Sequence, residues 1–393
     1  MAEELLIWWR RPVLLDAEED RRASWLELFI DLMFVAIISA LAKGLAADVT
    51  LTGVAVFTLV FLPAWWIWTG LTIYNDRFET DDVSHRIAFF VVLVALGGMA
   101  VSARHFFLDG FWLYALSYVL ARLVIIALWL RAGYHNPAAR PLTTRYSIGF
   151  GAAATLWLLA LAVPWPARLD IVLLAIAIDF ATPLLTLSAQ RELPRLSATH
   201  LPERFGLFVI IVLGEAVIGV EGTAALDFMH GSLLDAAVGP AALAVAFVLW
   251  WLYFDHVAEN PPPASPLASM AWAYPHLLFA LVLGMFGAAA QALVAEGRTH
   301  DAAALALACV SVGLSYATIA LLEFATEPGA ERQHPAASLS VHLGAGLGAL
   351  LLAFVAGPMG ALTVMLLLTA LGVAQIAYGY ATRAYHFEWD AEE

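Results

Sequence analysis

Charged residues are scarce in this sequence: Asp, Glu, Lys and Arg together make up 13% of its 393 residues. A soluble globular domain carries roughly 25% charged residues, so the scarcity excludes an ordinary soluble fold. Hydrophobic residues account for 62% of the chain, and the mean hydropathy is +0.82. These values indicate an integral membrane protein.

Cysteine is almost absent, since Cys309 is the only one. A single cysteine excludes an intrachain disulfide and argues against a cysteine-built metal site. The 19 basic residues are outnumbered by 33 acidic ones and form no basic cluster, so no nucleic-acid partner is expected. The start of the chain lacks an apolar stretch followed by a small-residue cleavage site. Residues 1–23 are therefore interpreted as a cytoplasmic leader rather than a removable signal peptide.

Long apolar stretches recur along the whole chain. They predict helices that cross a hydrocarbon core roughly 30 Å thick, which needs about 17 to 25 residues each. We predict an all-α polytopic membrane fold with about 12 transmembrane helices, separated by turns rich in Pro, Gly and Asp. The predicted spans are residues 24–44, 51–74, 86–107, 111–131, 146–163, 169–188, 204–220, 237–257, 272–293, 302–323, 338–356 and 359–381.

The basic residues of the loops predict the orientation of these helices. On one side fall only Lys43, Arg104, Arg168 and Arg298, while Arg122 lies within a span. All other Lys and Arg residues fall on the side of both termini. Basic loops stay in the cytoplasm, so we predict a protein of the bacterial inner (cytoplasmic) membrane with cytoplasmic N- and C-termini.

An internal repeat is predicted from sequence echoes in the two halves. "SIGFGAAATLWLLALAVPWP" from residue 147 is similar to "SVHLGAGLGALLLAFVAGPMG" from residue 340, and "WWIW" at 65 is similar to "WWLY" at 250. The echoes predict two parallel six-helix repeats, because an even number of helices preserves topology. Chance similarity between apolar segments is the alternative. The predicted organisation is a repeat at 24–190, a cytoplasmic linker at 191–203, a repeat at 204–382 and a cytoplasmic tail at 383–393.

Acidic side chains inside the predicted spans are the strongest functional signal. Glu27 and Asp31 lie four residues apart in "SWLELFIDLMFVAII" and therefore share one face of a helix. A charged carboxylate in hydrocarbon costs at least about 2.5 kcal/mol, so such groups face a polar interior, find a partner or carry a proton. Asp179 and Glu215 are further buried acids, and Arg122 is the only base deep in a span.

These acids predict an ion or proton pathway. Glu27, Asp31 and Glu215 would be its carboxylates, Asp179 a supporting acid and Arg122 the counter-charge that sets how many of them ionise. A structural network that fixes helix packing is the alternative for each residue.

Two further pairs have a weaker signal for gating or pH sensing. Glu203 and Arg204 begin the seventh predicted helix, where they form either a gating ion pair or interfacial contacts with the helix dipole and lipid phosphate. His85 and His276 begin the third and ninth helices, where they act as pH sensors or as ordinary hydrogen-bonding residues.

No metal site, cofactor or catalytic residue is predicted. The run "FDHVAEN" contains Asp255, His256 and Glu259, which could hold a metal, but its irregular position at a helix edge makes this a weak signal.

Two motifs carry a family resemblance. "WLELFIDLMFVAII" and "ERFGLFVIIVLGEAVIGV" resemble the bacterial low-temperature-requirement A (LtrA) family of multi-pass membrane proteins, and the resemblance covers nearly the whole chain. It implies the fold and carries no settled activity. The first helix, with Phe29, Asp31 and Phe34, is also similar to the pore-lining first helix of potassium or proton channels built from two six-helix repeats. Ile30 stands where those channels have a serine.

We predict an integral membrane transport protein that conducts a cation or proton, or couples one to a solute. Its expected partners are the lipid bilayer and a small cation or proton, and a homo-oligomer is left open. The alternatives are a membrane-embedded enzyme acting on a lipid or isoprenoid, and a structural or sensory membrane protein.

Overall fold

The structure is a computed structural model. It describes residues 8–15, 22–230, 233–258, 260–295, 298–326 and 335–390, with side chains except at 216–230, 335–336 and 383–390.

Long α-helices dominate the described part of the chain. Twelve of these helices are each at least 16 residues long. They are α1 (Trp25–Ala47), α2 (Leu51–Arg77), α3 (Val83–Ser102), α4 (Phe111–His135), α5 (Arg140–Leu161), α6 (Ala167–Leu185), α7 (His200–His230), α8 (Val238–Tyr253), α9 (Pro266–Val294), α10 (Ala302–Ala325), α11 (Pro335–Val355) and α12 (Ala361–Asp390). Short turns of helix occur at Ala103–His105, Pro137–Ala139, Leu187–Gln190 and Leu233–Ala236, and a π-helical turn at Phe254–Ala258.

Ten helical segments among the described residues are long and apolar enough to cross a membrane. The predicted all-α polytopic membrane fold is thereby confirmed, and contact with the lipid bilayer follows from it. Helices α5 and α7 are not among the ten. Arg140 and Arg145 lie in the first turns of α5, and the side chains of the second half of α7 lie outside the description. The count of twelve spans and the six-helix repeat stay predictions.

The chain divides into two compact units. Unit 1 comprises Met1–Leu41, Thr58–Phe205 and Pro261–Ala273, and unit 2 comprises Ala42–Phe57, Gly206–Asn260 and Tyr274–Glu393. Helices α1, α2, α7 and α9 contribute residues to both.

Helices α3 to α6 pack in sequence order within unit 1. Large aromatic side chains fill the space between them, with Trp157 against the rings of Phe111, Tyr114 and Tyr118. Helices α5 and α6 approach closely at Gly149, where a Cβ atom would lie 2.2 Å from Oγ1 of Thr182. Small residues at such crossings let membrane helices come into contact.

The described part of the leader is bound to unit 1. Strand β1 (Val13–Leu14) pairs antiparallel with strand β2 (Phe78–Glu79), which directly follows α2. Asp82 accepts a hydrogen bond from the Arg10 amide at 2.6 Å and forms an ion pair with Arg131. Burial opposes ionisation of Asp82, but these bonds outweigh it and lower its pKa to about 2.

Unit 2 has a close helix pair of its own. Helices α10 and α11 meet at two glycines, since a Cβ atom on Gly313 would lie 2.9 Å from the carbonyl oxygen of Gly346. Helix α12 packs against α8 and α11 and receives a hydrogen bond from Tyr316 to the carbonyl of Leu368 at 3.1 Å. Within this unit, α10 packs against α11 and against the π-helical turn that follows α8.

Candidate functional site

The first helix begins with a capping box that places Glu27. The hydroxyl of Ser24 accepts the Glu27 amide at 3.3 Å, and Oε2 of Glu27 accepts the Ser24 amide at 2.8 Å. This reciprocal pair satisfies two amides that a helix start leaves open. The other carboxylate oxygen, Oε1, contacts different partners in the interior. Glu27 therefore caps the helix through Oε2 and also presents Oε1 to the interior.

Asp31, one turn further along α1, is completely buried and held by three bonds. Arg204 at the start of α7 forms a bidentate pair with it, at 2.7 and 2.8 Å. The indole Nε1 of Trp68 in α2 donates to Oδ1 of Asp31 at 2.9 Å. Bidentate guanidinium–carboxylate pairs are among the strongest hydrogen-bonded contacts in proteins, so Arg204 is the counter-charge of Asp31.

His200, the first residue of α7, bridges two other carboxylates. Its Nε2 lies 3.2 Å from Oε1 of Glu27, and its Nδ1 lies 3.0 Å from Oδ1 of Asp76 near the end of α2. Asn75 also donates to Oε1 of Glu27, at 3.1 Å. Asp76 accepts the amide of Ser197 at 3.0 Å through its second oxygen. These contacts connect α1, α2 and the start of α7 within unit 1. We define the unit 1 cluster as Glu27, Asp31, Trp68, Asn75, Asp76, His200 and Arg204.

The unit 1 cluster holds more negative than positive charge. Three carboxylates face one guanidinium and one imidazole, and all are buried. Burial lowers the pKa of a histidine, but the hydrogen bonds to Asp76 and Glu27 and the charges of both outweigh it and raise the pKa of His200 above its ordinary value. With His200 protonated, three carboxylates, one guanidinium and one imidazolium give these residues a net charge of about −1. The buried Arg77 beside Asp76 offsets one negative charge, so the excess appears when His200 is neutral. Such a site can bind a proton or a small cation.

Arg122 and Asp179 lie together in a second buried polar group of unit 1. Nη2 of Arg122 lies 3.4 Å from Oδ2 of Asp179, and Tyr118 contacts both side chains through its hydroxyl. The guanidinium also lies over the ring of Phe150, 4.8 Å from its centre. Among the described contacts, Arg122 is thus the counter-charge of Asp179, while Arg204 has that role for Asp31.

Glu203, His85, His276 and Glu215 are the other predicted site residues. Glu203 is exposed and accepts the amide of Ala23 at 3.1 Å. His85, near the start of α3, packs against Phe89 with 4.4 Å between ring centres. In unit 2, His276 lies 3.1 Å from the Tyr253 hydroxyl, and Glu215 is buried in α7.

Four members of the unit 1 cluster were not among the predicted site residues: Trp68, Asn75, Asp76 and His200. Helix α2 continues to Arg77, past the predicted end at residue 74, so the sequence placed Asn75 and Asp76 in a loop. Helix α7 begins at His200, four residues before its predicted start. Ser197 is the sequence signal that indicates this earlier start, because serine is a common capping residue before a helix. Its hydroxyl accepts a hydrogen bond from the His200 amide at 3.1 Å.

Comparison with known proteins agrees with this membrane architecture. The sequence is 26% identical, over 299 residues and 70% of each chain, to an uncharacterised protein of Rhizobium meliloti (strain 1021). Residues 22–372 match the family described as "Bacterial low temperature requirement A protein (LtrA)". That match includes α1, α2 and the start of α7, which supply the carboxylates and the arginine of the unit 1 cluster. The protein is therefore a multi-pass membrane protein that belongs to the bacterial LtrA family.

Proposed function

We propose that this protein transports a proton or small cation, alone or coupled to a solute, and that the unit 1 cluster is its binding site. The observation that carries the proposal is the His200 imidazole, whose two nitrogens each face a buried carboxylate. Buried carboxylates in membrane proteins favour the binding of protons or cations, because a charge without compensation is costly there.

His200 gives the cluster two different states. As an imidazolium it donates to both Glu27 and Asp76, which lie on α1 and α2. A neutral imidazole has one N–H and one lone pair, so one carboxylate would then face a lone pair instead of a donor. Loss of the proton therefore weakens the connection between α7 and one of the other two helices. A change of protonation thereby becomes a change in helix contacts, which is what coupled transport needs.

Asp31 and Arg204 form the fixed part of the site. Their bidentate geometry neutralises one carboxylate and positions the guanidinium 3.9 Å from Oε1 of Glu27. A proton or cation would therefore bind on the side of Glu27, Asp76 and His200, where two carboxylates face one imidazole. Asp179 would be a supporting acid and Glu215 a pathway carboxylate of unit 2.

Transport is tested with purified protein in liposomes that contain a pH-sensitive dye. A pH gradient, and separately a potassium diffusion potential set by valinomycin, would drive the flux. We expect the native protein to acidify or alkalinise the lumen at a rate well above empty liposomes. His200→Gln and Asp31→Asn should reduce that rate to near background, because glutamine and asparagine keep polar contacts without the titrating or charged group. Asp81→Asn is the matched control, since Asp81 is exposed and pairs with Arg86.

Folding of each variant is checked by size-exclusion chromatography and thermal unfolding. Folded native protein without flux under either driving force would refute proton conduction, as would variants that keep native flux. Coupled transport would then require a proton flux that depends on an added solute in the same liposomes. If no solute class produces such a flux, the enzyme alternative is favoured.

A further inference from the structure

A group of metal-ligand side chains lies in unit 2, outside the unit 1 cluster. Glu323 near the end of α10 lies between two histidines. Its Oε1 is 3.7 Å from Nδ1 of His256, and its Oε2 is 3.4 Å from Nε2 of His342 in α11. The three potential ligand atoms all lie within 4.8 Å of one another. They come from three separate helical segments, so the tertiary structure alone brings them together.

The separations suit a small divalent ion. Zinc binds histidine nitrogen and carboxylate oxygen at about 2.0 to 2.2 Å, so tetrahedral neighbours lie on the order of 3.3 Å apart. The two distances, each to a different oxygen of Glu323, are close to that value, and the three ligand atoms together span no more than 4.8 Å. The two imidazole rings are perpendicular, with 4.7 Å between their centres, so they approach the carboxylate from different directions. Two histidines and one carboxylate leave a coordination position for water or another ligand.

The surroundings of His342 are those of a ligand. Its Nδ1 lies 2.7 Å from Oε1 of Gln375 in α12. Nε2 of Gln375 donates to the carbonyl of Leu371 at 3.2 Å, which identifies Oε1 as the atom that faces the histidine. Nδ1 of His342 is therefore the donor to Gln375, which leaves Nε2 as the ring nitrogen that faces Glu323. That Nε2 is buried and has no hydrogen-bond partner in the described part of the chain. A buried ring nitrogen and a carboxylate oxygen that face each other without a hydrogen bond are suited to hold a cation between them.

The other two ligands are also held in place. Ser338 donates to Oε2 of Glu323 at 2.9 Å. His256 lies in the π-helical turn that follows α8, and the side-chain amide of Asn260 donates to its carbonyl at 3.1 Å. π-Helical turns reorient side chains and occur often at functional sites.

We propose that His256, Glu323 and His342 form a binding site for a divalent transition metal of the zinc type, with Gln375 as the residue that orients His342. Two imidazole ligands favour zinc or cobalt over magnesium and calcium, which prefer oxygen. The site goes beyond the proposed transport function, because all four residues belong to unit 2.

The experiment uses the full-length protein in detergent, free of a histidine tag and treated with a chelator that is then removed. Zn²⁺ binding is measured by calorimetry, and Co²⁺ is added as an optical probe of the ligand geometry. We expect one equivalent of either metal in the native protein and no comparable binding of Mg²⁺. Glu323→Gln and His342→Gln should abolish this equivalent. His300→Gln is the matched control, since His300 is an exposed histidine of the same unit.

Gln375 distinguishes a built metal site from a structural contact. Gln375→Leu removes the acceptor of Nδ1 and should weaken Zn²⁺ binding on the order of 10- to 100-fold. Gln375→Glu keeps an acceptor at the same place and should retain binding. The proposal is overturned if the native protein binds neither metal, or if the Glu323 and His342 variants bind as well as His300→Gln. It is also overturned if Gln375→Leu, shown to be folded, binds with native affinity.

Discussion

Arg204 determines the charge balance of the unit 1 cluster. Its guanidinium is the one group there that is positive at every physiological pH, and it lies within hydrogen-bonding distance of both oxygens of Asp31. Removing one member of a buried ion pair leaves the other member charged and unpaired, which costs on the order of 3 to 5 kcal/mol. Arg204 therefore stabilises the fold in addition to its proposed part in binding.

A double-variant cycle tests this pair. Arg204→Gln should lower the thermal unfolding midpoint of the purified protein strongly, because it leaves the Asp31 carboxylate buried without a counter-charge. The double variant Asp31→Asn, Arg204→Gln should unfold at a higher temperature than Arg204→Gln alone, since two neutral amides need no counter-charge. If the decrease in the unfolding midpoint of the double variant equals the sum of the decreases of the two single variants, the residues do not act as a pair.

His200 makes the stability of the protein depend on pH. Its pKa is raised in the folded protein, so the folded state holds the proton more tightly than the unfolded state. The resulting stabilisation is fully present below the ordinary histidine value of about 6.5 and is lost as the pH rises through the folded-state pKa. Unfolding midpoints measured from pH 5.5 to 9 should therefore fall more steeply with pH in the native protein than in His200→Gln. Parallel curves for the two proteins would show that Glu27 and Asp76 do not hold this proton.

At the scale of elements, close helix packing depends on single glycines. Gly149 and Gly151 both belong to α5, but only Gly149 faces α6 at close range. Around Gly151 nothing lies within 4 Å of an added Cβ atom, whereas the β-branched side chain of Thr182 occupies that space at Gly149. Thr182 is itself bonded to the carbonyl of Ile178 at 2.7 Å, so it cannot move away without losing that bond.

Gly149→Ala should therefore destabilise the protein by about 1 to 3 kcal/mol, as overpacked sites do. Gly151→Ala makes the same change two residues away and should be neutral within error. Thermal unfolding of both variants in the same detergent is the measurement. Equal midpoints for the two would contradict the close approach of α5 and α6.

The leader is a second element whose placement depends on one side chain. Asp82 joins the backbone of Arg10 to Arg131 of α4, and these bonds favour its ionised form and lower its pKa. This stabilisation is present above the ordinary aspartate value of about 3.9 and is lost as the pH falls towards about 2. At neutral pH, Asp82→Asn should weaken the attachment, and limited trypsin digestion should cleave after Arg10 several times faster. Asp81→Asn is the control, and equal cleavage in both variants would show that β1 and β2 suffice to hold the leader.

At the scale of the whole molecule, the orientation in the membrane is open to direct test. The distribution of basic residues predicts that both termini lie in the cytoplasm. A fluorescent protein fused after residue 393 should therefore fluoresce in bacterial cells, and alkaline phosphatase fused at the same point should be inactive. The opposite result would refute the predicted cytoplasmic C-terminus.

The family and the two functional proposals also belong to this scale. Membership of the LtrA family is shown by a match over residues 22–372, which accounts for the membrane fold without an activity. The transport proposal depends on unit 1 and the metal proposal on unit 2, so the liposome and metal-binding experiments can fail independently.

Much of the fold could be predicted because membrane helices obey a local rule. Each apolar stretch must satisfy its own backbone hydrogen bonds in lipid, so the sequence alone locates it. The predicted span 24–44 corresponds to α1 (Trp25–Ala47), and the predicted span 302–323 to α10 (Ala302–Ala325). Errors concentrate at helix ends, where α2 extends to Arg77 and α7 begins at His200, because polar residues there are stabilised by partners in other helices.

The sequence by itself determined the membrane class, the helices and the presence of buried carboxylates at Glu27, Asp31 and Asp179, because composition and periodicity are local properties. Only the tertiary structure decided which charges meet. Arg204 lies 173 residues from Asp31, and His342 lies 86 residues from His256, so no spacing rule connects them. Partners of buried charges are selected by distance in the folded chain, since electrostatic attraction and hydrogen bonding act through space and not along the sequence.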